Sequence, residues 1–264
     1  MKKLLEITAI KMIPPKPYGM FHITFFVLSI LLSCILANKL KDVSDRKNKK
    51  ILFFTGLFLL VIEVYKELFY YFVVNNGSYD FSIFPFQLCD VPMYICLIIP
   101  FIKNKKIEEE MYNFMASYNL LGAFITFFEP SSLLRPYFMM TLHGFLWHAI
   151  LVFLGIYIAL SGRCLKNKKD FITSTKVYAV LCSIALILNI SLKNVSKGVL
   201  NAFYLGPNIS PIIVFQDISE RFGWFTNLLV FVGAMTLGAY LVYMFFYNLE
   251  NIKSFAKDKI LRRV

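Results

Sequence analysis

Apolar residues run along this chain in long blocks, and seven of the blocks are long enough to cross a bilayer. A spanning helix needs about 20 mostly apolar residues, within roughly 17–25. The blocks fall at 19–37, 51–74, 84–102, 111–128, 136–160, 171–192 and 222–247. Glu129 and Pro130 close the fourth, and Pro136 opens the fifth at a first-turn position where its missing N–H costs nothing. The pattern predicts an all-α polytopic membrane helix bundle of seven transmembrane helices, forming one transmembrane domain over residues 1–264. Residues 1–18 are expected to lie at the interface as a short amphipathic helix ending at Pro14 and Pro15. Glu6 and Lys11 break the apolar stretch there, so it does not read as a secretory signal. Residues 248–264 form a basic tail.

The connections set the orientation. Lys and Arg are concentrated in the first, third and fifth connections and the tail, which hold 18, against 8 in the N-terminal segment and the even connections. Basic residues stay cytoplasmic, so the N-terminus is expected outside and the C-terminus inside. The sixth connection, 193–221, differs from the rest. It mixes Gly198, Gly206, Pro207 and Pro211 with Phe203, Tyr204, Ile212, Ile213 and Phe215. A long apolar loop does not sit free in water, so it is expected to pack over a mouth of the bundle or dip into the interface. No internal repeat of the kind found in many transporters is present.

Composition agrees with lipid as the main solvent: 58% of residues are hydrophobic and the mean hydropathy is +0.63. A net charge of +12 would suggest nucleic acid in a soluble protein. Here it is accounted for by basic loops, and no stretch is long enough for a nucleic-acid-reading module. The expected location is a bacterial plasma membrane. Cys34, Cys89, Cys96, Cys164 and Cys182 are odd in number and lie mostly in apolar blocks, so they form no disulfide framework. No nucleotide loop, zinc spacing or dinucleotide fingerprint occurs, so neither a metal nor a cofactor is expected.

Ionisable and polar residues inside apolar spans mark a site by default. They are Glu63, Lys66 and Glu67 in the second block, Cys89 and Asp90 in the third, Asn119 in the fourth, His143 and His148 in the fifth, and Lys176 and Asn189 in the sixth. Lys176 is near the cytoplasmic end and can snorkel to the interface. At 1.5 Å rise per residue, Glu67, Cys89, Asp90 and His143 lie roughly 8–12 Å below the outer boundary, and Glu63, Asn119 and His148 roughly 14–18 Å. One polar cavity in the outer half of the bundle is the expectation. Bland roles compete. Lys66 can pair with Glu63 along one helix face, and Asn119 suits an interhelical hydrogen bond. His143 and His148 are about 140° apart around their helix and cannot ligate one metal as an i, i+4 pair. The sharper reading pairs Cys89, as nucleophile, with His148 or His143 as base, and Asp90 or Glu67 to orient the imidazole. A thiol at that depth would face lipid esters, making membrane phospholipids the partners. The alternative is a non-enzymatic transporter or small-molecule binder, with the carboxylates and histidines carrying protons or contacting ligand.

Three motifs carry a resemblance. Phe84-Pro85-Phe86-Gln87-Leu88-Cys89-Asp90 resembles the Pro-Leu-His-Leu-Cys-Asp segment of the bacterial YwaF-like integral membrane proteins. Leu142-His143-Gly144-Phe145-Leu146-Trp147-His148 is similar to that family's helix with two histidines five apart, and Asn201-Ala202-Phe203-Tyr204-Leu205-Gly206-Pro207 to its loop before the last helix. The likeness runs from about Glu63 onward. Gln87 stands where relatives often have His, and Asp90 where the eukaryotic transmembrane protein 164 group has His. The relation implies an acyltransferase acting on membrane phospholipids, its cysteine matching Cys89 and its histidine His148.

Overall fold

The computed structural model describes residues 2–207 and 213–261, and side chains for all of these except residue 213 and residues 250–261. Pro211 and Ile212 of the sixth connection and the side chains of the basic tail from 250 onward lie outside the described residues.

Among the described residues the chain is all-α. Its helices are α1 (Lys2–Ile7), α2 (Met20–Leu40), α3 (Asp45–Phe69), α4 (Val91–Ile98), α5 (Lys105–Phe114), α6 (Leu120–Phe128), α7 (Phe138–Leu160), α8 (Asp170–Ser191), α9 (Ile213–Phe222) and α10 (Trp224–Leu261). α3 runs on into a π turn, Tyr70–Val74, and a second π turn, Met115–Asn119, joins α5 to α6 as one continuous rod. Among the described residues four helices are long and apolar enough to cross a membrane: Met20–Leu40, Phe138–Leu160, Asp170–Ser191 and Trp224–Leu249. Their outer faces carry Leu31, Leu32, Val180, Ile187, Leu237 and Leu241, all exposed. Contiguous apolar surface on this scale needs an apolar solvent.

α7 is the central post. It packs against α2 on one side and α6 on the other, while α3 pairs with α4, α5 with α8 and α9 with α10. Close approach is bought with small residues, as expected where lipid gives helices no hydrophobic incentive to associate. A Cβ on Gly56 of α3 would stand 2.9 Å from the Cys96 Cβ of α4, and one on Gly155 of α7 would stand 2.7 Å from the Leu120 Cβ of α6. At the end of the bundle holding the basic connections, buried Asn48 donates to Tyr112 (2.8 Å) and accepts from Tyr157 (2.7 Å). Tyr112 in turn donates to buried Glu108, which pairs with Lys49 and Lys105 at 3.2 Å each. Arg163 ties the α2–α3 connection to the α7–α8 connection through the Lys41 and Val43 carbonyls and Asp45.

The structure departs from the sequence expectations in three places. The third block is not one helix. Residues 84–90 are irregular, and the only regular part is the short apolar stretch Val91–Phe101. Pro85 disfavours helix at Phe84, Pro92 is confined to the first turn of α4 where its missing N–H costs nothing, and Pro100 lies in the 3-10 turn that ends the segment. The N-terminal helix stops at Ile7, well short of Pro14, and is fastened to the bundle. Thr8 bonds Tyr65 at 2.6 Å, and Lys11 forms an antiparallel bridge with Tyr137. Leu4, Ile7, Ile10 and Ile13 remain exposed on its other side. Finally, the sixth connection folds inward: Ala202, Phe203 and Leu205 are buried, and α9 lies along α10 through Phe215 and Phe231.

Candidate functional site

An irregular backbone among spanning helices must have its polar groups satisfied by protein. Residues 83–90 are satisfied by side chains from three helices. Lys66 of α3 donates to the Ile83 carbonyl (3.1 Å), Tyr94 of α4 to the Pro85 carbonyl (2.7 Å), and the Trp147 indole of α7 to the Cys89 carbonyl (3.1 Å). Asp90 turns its carboxylate back on the same segment. One oxygen accepts the Gln87 N–H at 2.6 Å and the other lies 3.8 Å from the Cys89 sulfur. Cys89 is thereby held at a fixed point just ahead of α4.

A second irregular segment, 201–206, is pinned beside the first by three amide side chains. Gln87 accepts from the Phe203 N–H (2.8 Å) and donates to the Asn201 carbonyl (3.0 Å). Asn189 of α8 accepts from the Ala202 N–H (2.7 Å) and donates to its carbonyl (3.0 Å). Asn201 accepts from the Gly206 N–H at 2.7 Å. These clamps hold Phe203 and Tyr204 at φ of 55° and 56°, in the left-handed region that side chains with a Cβ rarely adopt. Asn189→Leu leaves the buried Ala202 N–H without its acceptor and takes one of two donors from the Ala202 carbonyl, which keeps the Leu205 N–H at 3.2 Å. An unsatisfied buried group costs about 1–3 kcal/mol. The expected loss of stability is therefore about 2 kcal/mol or more, read from thermal unfolding in detergent. An unchanged midpoint would mean that the loop is not held through Asn189.

The two segments, with α3 and α7, enclose a cavity of about 210 Å³. Cys89, Asp90, Glu63, Lys66, His143 and His148 all line it, and Arg135 and Tyr204 stand on its wall. Lys66 is its internal cation, 2.6 Å from Glu63 and 3.4 Å from Glu67. His143 stacks on Trp147, and its Nε2 lies 3.9 Å from Glu63, too far for a hydrogen bond. His148 is buried, and its Nδ1 lies 2.8 Å from the Gly144 carbonyl. A carbonyl can only accept, so Nδ1 carries the proton. In the neutral ring Nε2 then holds the lone pair. Among the described residues no hydrogen bond joins Cys89 to either histidine; the partner of the thiol is Asp90. The site therefore holds a thiol, a carboxylate beside it and an imidazole whose Nε2 is left as a base, along one cavity wall.

Two of the residues singled out in the sequence stand off the cavity wall. Glu67 pairs with Lys66 from behind. Asn119 is buried and donates to the Leu151 and Met115 carbonyls at 3.2 and 3.4 Å, fastening the α5–α6 rod to α7. Among the described residues no three His, Cys, Asp or Glu side chains are placed to hold a metal ion.

The sequence profile of the TMEM164 family matches residues 17–247. The chain belongs to that family. The match runs from just before α2 into α10 and takes in every residue of the cavity wall. With the exposed apolar faces, it makes the chain a multi-pass helical membrane protein. Neither a curated protein nor a solved structure matches the chain.

The sequence reading left several contributors without a role. Arg135 is the lone basic residue of its connection, a signal that was present but not used. Trp147 sits inside the two-histidine motif and holds the Cys89 backbone. His22 passed unmarked, yet it is buried in α2. It accepts from the Tyr18 N–H (3.1 Å) and bonds the Phe127 carbonyl of α6 (2.8 Å). Tyr18 in turn donates to the Phe128 carbonyl, so the pair ties the start of α2 to the end of α6.

Proposed function

We propose that this protein transfers acyl groups between membrane phospholipids, with Cys89 as nucleophile and His148 as base. The carrying observation is that Cys89 and His148, whose Nδ1 is committed to the Gly144 carbonyl, line one cavity of about 210 Å³. The step balances as follows. His148 takes the thiol proton as the Cys89 sulfur attacks the ester carbonyl of a donor lipid. A carbon–sulfur bond forms, the carbon–oxygen ester bond breaks, and the departing alkoxide takes the proton from His148 to leave a lyso-lipid. In the second half, His148 takes the proton of an acceptor hydroxyl. That oxygen attacks the thioester carbonyl, a carbon–oxygen ester bond forms, the carbon–sulfur bond breaks, and His148 returns the proton to the departing Cys89 thiolate. Asp90 and Trp147 position the thiol and its backbone, and Arg135 offers a cation to a lipid phosphate.

Two further proposals go with this one. The chain groups with the YwaF-like bacterial proteins its motifs resemble. It spans a bacterial plasma membrane seven times, N-out and C-in, with α3, the 84–101 segment and the α5–α6 rod joining the four long apolar helices. The charge bias supports this orientation. Single cysteines placed at 75–82 are expected to react with impermeant maleimide from outside, and those at 163–169 only after permeabilisation. The reverse pattern would place Cys89 in the inner leaflet.

The direct test of the chemistry is trapping. Membranes supplied with a phospholipid bearing an alkyne-tagged acyl chain are expected to yield a tag on Cys89 that hydroxylamine removes. Cys89→Ala should carry none. Unchanged acyl transfer by Cys89→Ala would overturn Cys89 as the nucleophile, and no acyl transfer by the parent protein would favour the transporter or binder instead. That second reading is supported by the buried Glu63–Lys66–Glu67 group facing His143.

A further inference from the structure

Cys89 borders a second space as well as the polar cavity. On its other side lies a chamber of about 150 Å³, walled by Leu88, Gly122, Ile125, Phe215, Phe231 and Met235. Gln87, Cys89, Thr126 and Tyr204 line both spaces, so the thiol stands at the boundary between a polar compartment and an almost wholly apolar one. The rest of its wall comes from α6, α9 and α10, with Tyr178 of α8 and Phe203 of the 201–206 segment, and none of these contributes a charge to it. Its floor is open because residue 122 is glycine. A Cβ there would meet Leu88 only at 3.5 Å, so nothing in the packing demands the smallest residue. The space a larger side chain would take is the chamber itself.

We propose that this chamber is the acyl-chain subsite, seating the hydrocarbon next to the carbonyl that reacts at Cys89 while the headgroup side stays in the polar cavity. The inference rests on Cys89 being the acylated group. An enclosed apolar space of about 150 Å³ holds a molecule the size of benzene. The chamber therefore takes roughly six carbons of the chain. Gly122 sets its depth, and Met235, unbranched and adaptable, sets its far wall.

The test uses the full-length protein in lipid nanodiscs and a series of N-alkylmaleimides from methyl to octyl, with alkylation at each cysteine read by mass spectrometry. Cys34 is exposed on the lipid-facing side of α2 and serves as the internal reference, because partitioning of longer probes into lipid raises both rates alike. The ratio of Cys89 to Cys34 labelling is expected to rise several-fold from methyl to hexyl and then level off. In Gly122→Leu the rise should disappear, and in Gly122→Ala, which fits the packing, it should shrink. A ratio that is flat with chain length, or a rise that Gly122→Leu leaves intact, overturns the proposal while leaving Cys89 a reactive thiol. Photo-crosslinking with a phosphatidylcholine carrying a diazirine near the sixth carbon of its chain gives a readout independent of thiol chemistry. Adducts at Leu88 and Met235 that vanish in Gly122→Leu support the chamber even if Cys89 proves inert, which would sink the thioester reading alone. No adduct at either residue overturns the chamber.

Discussion

His148→Ala is expected to slow acylation of Cys89 by about 10²- to 10⁴-fold at neutral pH, the range a positioned general base contributes. A thiol attacks only as thiolate. The cavity offers two imidazoles to take its proton, and their hydrogen bonds distinguish them. His148 spends its Nδ1 proton on the Gly144 carbonyl, which leaves Nε2 as a base. His143 stacks on Trp147 and faces Glu63, whose carboxylate competes for any proton it gains. His143→Ala should therefore cost much less than His148→Ala. The measurement is the rate of hydroxylamine-sensitive tagging of Cys89 in membranes containing each variant at matched protein levels. Asp90 supplies the control, because in the resting site the thiol points at its carboxylate rather than at either ring. If Asp90 is the base, Asp90→Asn will drop the rate and His148→Ala will leave it nearly unchanged. That result would reassign the proton transfer without disturbing the nucleophile.

How much of this was legible beforehand depended on whether the controlling feature was local in sequence. The long apolar helices α2, α7 and α8 and the apolar part of α10, Trp224–Leu249, follow directly from hydropathy, and each begins and ends within a few residues of its expected block. The third block misled because hydropathy counts residues and ignores backbone chemistry. Pro85, Pro92 and Pro100 were all visible in it; Pro85 lies in the irregular wall of the cavity, and Pro92 and Pro100 mark the start of α4 and the turn that ends it. Cys89, Asp90, Glu63, His143 and His148 could be gathered from depth alone, because rise per residue converts position into height. Depth says nothing about rotation around a helix. That is why Glu67 and Asn119, at the right height, stand off the wall. The clamp on 201–206 joins Gln87 to a position more than a hundred residues away, while Asn189, a polar residue of the sixth block, reaches from the end of α8 to Ala202 beyond it. No periodicity announces either. The left-handed Phe203 and Tyr204 were likewise invisible, since neither is a residue that favours that conformation.

The largest expected effect on stability comes from Lys66. Its ammonium lies 2.6 Å from Glu63 and 3.4 Å from Glu67, and it donates to the Ile83 carbonyl at 3.1 Å. It thus joins α3 to the irregular segment that carries Cys89. The Glu63 side chain is only 4% exposed. Lys66→Met leaves two carboxylates facing each other without a cation and a carbonyl without a donor. Breaking a buried pair by removing one partner costs about 3–5 kcal/mol, because the remaining charge stays out of water. A loss of that size is expected from equilibrium unfolding in mixed micelles, together with looser packing of residues 83–90 seen as faster hydrogen exchange. The double variant Glu63→Gln, Lys66→Met removes the stranded charge and should recover part of the loss. A coupling energy of about 1–3 kcal/mol between the two positions is the expected signature of a direct pair. Lys66→Met with the stability of the parent, or two substitutions that simply add, would mean that water in the cavity already solvates these groups. The polar compartment beside Cys89 would then be wet, and its carboxylates would be free to carry protons rather than to hold the wall in place.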